Sequence, residues 1–156
     1  MDTRVLDWVQ DLDAQQLAEA CVNELYQRDT ASQDLGMRLV AIAPGQVTME
    51  MQIQEKMLNG HRICHGGYIF SLADSAFALA SNSENYSSVA TDCMIDFVKP
   101  GRLGDLLTAV AKQIDQGKKV GYYDVSITNQ QGEKVAHFRG KSYRISGKIL
   151  REGKEE

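Results

Sequence analysis

From Gly66 to Ser83 the chain reads GGYIFSLADSAFALASNS, and its one formal charge is Asp74. Ile69, Leu72, Ala73, Ala76, Phe77 and Ala80 recur at helical spacing, so the segment is expected to be a helix that buries one face. Two glycines open it, and Asn82, Ser83 and Asn85 close it with turn-forming residues. The central charge and the scattered serines favour a core helix of a soluble protein over a membrane span.

Alternation dominates around this helix. Val47, Met49, Met51 and Ile53 alternate with Thr48, Glu50, Gln52 and Gln54, which describes a half-buried strand. Met37 to Ala43 is its expected partner across Pro44-Gly45. Beyond the helix, Val89, Thr91, Cys93, Ile95 and Phe97 are expected on one strand face, ending at Lys99-Pro100-Gly101. Further strands are read at Leu106 to Ile114, around Tyr123, Val125 and Ile127, and from Val135 to Ile145. Short connections imply an antiparallel sheet, and one apolar helix against such a sheet is an α+β layer architecture. Leu6, Val9, Leu12, Leu17, Ala20, Cys21, Leu25 and Tyr26 mark one or two amphipathic helices near the start. The expected organisation is a helical arm over 1–28, one domain over 29–148 and a charged, frayed tail over 149–156.

A length of 156 residues suits one domain, and a net charge of −4 argues against a general nucleic-acid or anionic-membrane binder. Cys21, Cys64 and Cys93 are odd in number and widely spaced, which fits a reducing compartment rather than a disulfide framework. The acidic start lacks the apolar run of a signal peptide. A cytoplasmic protein is the expectation.

The loop MLNGHRICHGG leads straight into the helix. A helix N-terminus presents unpaired N–H groups at the positive end of a dipole, and glycines there admit a ligand close to the backbone. Such a place suits an oxyanion, although Gly-Gly also occurs in plain tight turns. Asp74 projects to the margin of the apolar arc, beside Phe70, Phe77 and Ala78. It is either a structural carboxylate bonded to a neighbouring loop or subunit, or a general base or nucleophile. Gly66 and Asp74 lie eight residues apart, about 12 Å along one helix. One carbonyl cannot touch both, so a site using both must take them from two subunits. His61, Cys64 and His65 offer three zinc-type side chains but no fourth, so no metal is expected. A Cys64–His65 nucleophilic pair lacks an orienting carboxylate. His137 reads as a sheet residue.

The segment LNGHRICHGGYIFSLADSAFALASNS, with VATDCMIDFVKPGRLGD and QGKKVGYYDVSITNQQGEKVAHFRGKSYRI, resembles the hotdog-fold acyl-CoA thioesterases of the phenylacetate-degradation (PaaI-type) group. The likeness runs from about Glu24 to Gly147. It implies a sheet wrapped around the central helix, and a homodimer with shared sites that assembles further into a homotetramer. By resemblance, Asp74 is the catalytic carboxylate and the Gly66 N–H polarises the thioester oxygen. Asn59 orients thioester or water, and His65 and Gly67 line the same place. Thr91 falls near a position where some relatives carry a hydroxyl residue that helps place the water, a position that goes to Ala90 if the register shifts by one. No cofactor is implied. An aryl-acetyl CoA is the expected substrate, with Phe70, Phe77 and Met57 either lining its pocket or filling the core.

Two rivals stand beside this reading. A hotdog hydratase needs an acid–base pair, and Asp74 has no histidine at a helical offset. A non-catalytic acyl-CoA-binding module would often carry a DNA-binding arm, and the arm here is acidic. Coenzyme A is itself a polyanion, and the basic residues gather in the C-terminal half. Lys118, Lys119 and Arg139 are the expected contacts to its phosphates.

Overall fold

The computed structural model describes residues 7–150. Leu6 of the expected arm and residues 151–156 of the expected tail lie outside them. The element order is α1 (Asp7–Gln10), α2 (Ala14–Arg28), α3 (Thr30–Asp34), β1 (Arg38–Ala43), β2 (Gln46–Gln52), a 3-10 turn (Glu55–Met57), α4 (Gly66–Ser81), β3 (Ser88–Phe97), β4 (Leu106–Gln116), β5 (Val120–Thr128) and β6 (Lys134–Arg144). The strands form one antiparallel sheet in the order β1-β2-β4-β5-β6-β3.

Helix α4 lies against the inner face of this sheet and buries Ile69, Leu72, Ala73, Ala76, Phe77 and Ala80, the residues its spacing singles out. They meet Val47, Met49 and Met51 of β2, Leu107, Ala109 and Ala111 of β4, and Tyr123, Val125 and Ile127 of β5 in one core. Gly140 of β6 sits under the Phe77 ring: a β-carbon there would come 2.8 Å from it. The missing side chain lets the helix settle onto the strand. Phe77 then reaches Tyr123 and Phe138, with ring centroids 5.5 and 5.8 Å away. Phe77 and Met57 are therefore core residues.

Helix α2 begins in a reciprocal cap: the Asp13 side chain accepts from the Gln16 N–H, and the Gln16 side chain accepts from the Asp13 N–H. It buries Ala18, Cys21 and Val22. Asp29 ends α2 and caps α3, a short helix that hydrophobic spacing does not predict.

Two expectations need correction. In β3, Ala90 pairs with Ser142 and Asp92 with Lys141, leaving Thr91 as the extra residue of a bulge. The bulge moves Val89 off the inner face; it pairs with Tyr143 and is 46% exposed. Ala90, itself exposed, pairs with the buried Ser142, and Cys93 and Ile95 are the β3 residues packed against the core. The second correction concerns the tail. Ile149 and Leu150 are not frayed but buried against Cys21. Both their N–H groups donate to Asn85 Oδ1, at 3.0 and 2.9 Å.

Candidate active site

The loop before α4 is fixed by its own backbone. Leu58 and Cys64 bridge, the Asn59 N–H donates to Ile63 O, and the Arg62 N–H donates to Asn59 O. Arg62 takes a left-handed φ of 60° to close the turn. Asn59 Oδ1 accepts from the His61 N–H at 2.9 Å and from the Ile63 N–H at 3.4 Å. The side-chain oxygen is thus spent on the loop, which leaves the amide Nδ2 as a donor to a ligand. The Cys64 N–H donates to Gly101 O and the His65 N–H to Met57 O, so the loop is tied to both sides of the helix entrance.

His65 is the N-cap residue of α4 and provides no side-chain cap. The N–H groups of Gly66 and Gly67 head the helix and cannot bond within it. Phe97 packs directly on Gly66, where a β-carbon would lie 2.8 Å from Cζ. A cavity of about 380 Å³ opens here, lined by Asn59, Ile63, Gly66, Ile69, Phe97 and Val98 together with Cys64 and the Lys99-Pro100-Gly101 turn. Asn59 and Gly66 therefore share one cavity wall. His65 and Gly67 are exposed beside it.

Asp74 is not part of that wall. It is half-buried, and no hydrogen bond to its carboxylate occurs among the described residues. Burial, and then the charge of Asp29, push its pKa above the ordinary carboxylate value of 3.8. It faces the middle of β3: burial first, then the charges of Asp74 and Asp92, push the Cys93 thiol up to about 11. Helix α4 runs antiparallel to β3, with Gly66 against Phe97 at one end and the Asn82 side chain bonded to Ser88 N–H and O at the other.

The remaining expected residues lie elsewhere. Thr91 is exposed, and its Oγ1 donates to Lys141 O at 3.1 Å. Lys118 and Lys119 occupy the exposed β4–β5 turn. Arg139 forks onto Asp124, Nε to Oδ1 at 2.7 Å and Nη2 to Oδ2 at 3.0 Å. The bond from Arg139 holds the Asp124 carboxyl below its usual range. His137 lies 3.9 Å from the same carboxylate, on a strand, as its alternating context suggests. Cys64 is buried, and burial raises its thiol to about 11, which opposes a nucleophilic role. Among the described residues no three His, Cys, Asp or Glu side chains group to hold a metal, and no helix is long and apolar enough to cross a membrane.

Sequence reasoning missed the far wall of the cavity. Alternation marks Phe97 only as a strand residue, and Pro100-Gly101 only as a stop. The signal was Gly101 itself: a β-carbon there would lie 2.6 Å from Ile53 Cδ1, so a larger residue would have to displace the Ile53 side chain for the turn to pack under the loop.

A six-stranded antiparallel sheet around a central helix whose open N-terminus faces a cavity is the hotdog thioesterase fold. The thioesterase superfamily model matches residues 61–136. Acyl-coenzyme A thioesterase PaaI of Escherichia coli is 48% identical over 128 residues, spanning 82% of this chain and 91% of that protein. The solved structure of the E. coli PaaI protein from the phenylacetic acid degradation operon matches with a TM-score of 0.86 at 45% identity, covering 87% of this chain and 99% of the other. The structure of smu.793 from Streptococcus mutans bound to acetyl CoA matches with a TM-score of 0.69 at 31% identity, covering 72% and 90%. The chain belongs to the thioesterase superfamily and is a thioester hydrolase.

Proposed function

We propose that this protein hydrolyses acyl-CoA thioesters at two sites shared across a homodimer, and that aryl-acetyl groups (phenylacetyl or hydroxyphenylacetyl) are its acyl substrates. The observation that carries the reading is a half-buried carboxylate, Asp74, without a partner among the described residues and on the same helix as the open N-terminus at Gly66. The thioester oxygen accepts from the Gly66 N–H and from Asn59 Nδ2. The partner subunit's Asp74 then activates water, or attacks to form a mixed anhydride. Each backbone donor aimed at the developing oxyanion contributes about 10²–10³ in rate. The departing thiolate has an ordinary pKa near 8.5, so no strong general acid is needed. The relatives support the substrate: one is an acyl-coenzyme A thioesterase, and another was solved with acetyl CoA.

The dimer rests on β3, a sheet edge with Met94 64% and Phe97 54% exposed. An unpaired strand edge is a template for a second strand. Asp74 stands by Cys93 and Gly66 by Phe97, four strand residues or about 13 Å apart. A twofold axis at Ile95 sets Phe97 opposite the partner subunit's Cys93. The partner subunit's Asp74 then comes level with Gly66. Two such dimers form the tetramer. The three free cysteines fit the cytoplasm.

The aryl preference draws on Phe97 in the cavity wall. Thiol release with dithiobis-nitrobenzoate tests the whole reading. Phenylacetyl-CoA should exceed medium-chain acyl-CoAs in kcat/KM by about tenfold or more. A flat preference removes the aryl assignment, and no thiol release from any acyl-CoA removes the acyl-CoA assignment.

A further inference from the structure

The junction of α2 and α3 sits against the turn of α4 that carries Asp74. Asp29 ends α2 and caps α3: its Oδ1 accepts from the Ser32 N–H at 2.9 Å, and its Oδ2 accepts from the Ser32 hydroxyl. Ser32 is 1% exposed, and its Oγ lies 2.8 Å from Ser75 Oγ on α4. A hydroxyl has one proton to give. The Ser32 proton goes to the carboxylate, so the Ser75 hydroxyl donates to Ser32. Ser71 and Ser81 of the same helix turn their hydroxyls back onto its own carbonyls, Gly67 O and Ala78 O. Ser75, next to Asp74, bonds outward instead. The junction it meets is fixed from behind. Gln33 Nε2 donates to Tyr26 O at 2.7 Å and to Gln27 O at 3.2 Å, and the Tyr26 hydroxyl donates to Met37 O at 2.6 Å.

Resting on the role proposed above for Asp74, we infer that Asp29 is a positioning residue for it: the Asp29–Ser32–Ser75 chain locks the Asp74 turn of α4 and holds a second negative charge near the reactive carboxylate. A like charge opposes ionisation. At Asp74 it adds to burial, the larger cause of the raised pKa. On its other side Asp74 faces Cys93 of β3, and Asp92 acts on the same thiol. That thiol, pushed up to about 11, is uncharged at neutral pH. A carboxylate that holds its proton more tightly is a stronger base. The helical segment ahead of β1 therefore serves the reaction through its own subunit's Asp74. Asp29 acts on that carboxylate and is assigned no contact with the thioester.

The test compares D29N, S75A and S75T with wild type. Asn caps a helix about as well as Asp, so D29N removes the charge and keeps the cap. In D29N the acid limb of kcat should move to lower pH and the plateau should fall about threefold, with KM unchanged and the melting temperature no lower than wild type. S75A should lower kcat about tenfold at unchanged KM, and S75T, which keeps the hydroxyl, should restore most of it. Carbon-13 NMR of the Asp74 carboxyl, assigned by its absence in D74N, follows the same titration without turnover and should move the same way in D29N. An acid limb and an NMR titration that D29N leaves at wild-type values overturn the inference. Wild-type kcat in S75A overturns it too. So does a loss of kcat in D29N and S75A that tracks melting temperature while the acid limb stays in place, since a plain structural contact behaves that way. If D74N hydrolyses as wild type does, the role proposed for Asp74 falls, and the NMR titration still decides whether Asp29 governs that carboxyl. S75A and S75T leave the cap intact, so they remain informative if D29N fails to fold.

Discussion

The ring of Phe97 lies so close over Gly66 that a β-carbon on that glycine would stand 2.8 Å from Cζ. The first residue of α4 is therefore held against the end of the edge strand, and on the proposed mechanism this is the residue whose N–H meets the thioester oxygen. Gly66→Ala must push the ring or the helix start aside. We expect kcat to fall by about 10² or more, the value of one misplaced oxyanion donor, in steady-state thiol release. Pairing it with Phe97→Leu should recover melting temperature more than activity, because relieved crowding does not by itself re-aim the N–H.

Asp74 has no hydrogen-bond or ion-pair partner among the described residues. Its pKa is raised, chiefly by burial and then by Asp29. A folded-state pKa above the unfolded one means that the folded protein holds the proton more tightly. Stability from this group is full below the unfolded value of 3.8 and is lost as pH rises through the folded value. Asp74→Asn should therefore raise the melting temperature at pH 7–8, with a gain that shrinks on acidification. It should also abolish most of the hydrolysis. For wild type, kcat should fall as pH drops through a pKa above the ordinary carboxylate range. A variant that loses activity and also loses stability at pH 8 would assign Asp74 a structural role instead.

The proposed sharing of sites between subunits makes a counting prediction. Asp74→Asn and Asn59→Ala homodimers should each be nearly inactive. Mixed by unfolding and refolding together, half the dimers are heterodimers, and each has one intact site. Activity should return to about a quarter of wild type. Sites contained within one subunit would give no recovery.

How far the site could be read from the chain differed from element to element. The α4 face was legible because six apolar residues at one helical spacing leave a single way to bury them. The loop of Asn59 was legible because its polar residues and glycines precede that face. The position of β3 at the sheet edge was not, since alternation identifies a strand but not its neighbours. Thr91 shows the limit most sharply. A bulge shifts the alternation by one residue, and no residue type at Ala90–Asp92 announces it. Arg139 looked available because a sequence shows a cation without the Asp124 carboxylate that faces it across the strand pair.

Charged residues follow Ile149 and Leu150 and give them the look of a tail, yet the two pack against Cys21 on α2. The Cys21 thiol is pushed up to about 11, with burial the largest cause. Asn85, at a left-handed φ of 65°, holds the segment by its two backbone donors. Leu150→Ala should cost about 2 kcal/mol in denaturant unfolding, the low end for a truncated buried aliphatic. Asn85→Ala should act in the same direction by leaving both N–H groups without their acceptor. In either variant Cys21 should become reactive toward dithiobis-nitrobenzoate without substrate, faster than in wild type and with the active-site residues untouched. A Cys21 that stays as slow as in wild type would mean the C-terminal segment does not guard it.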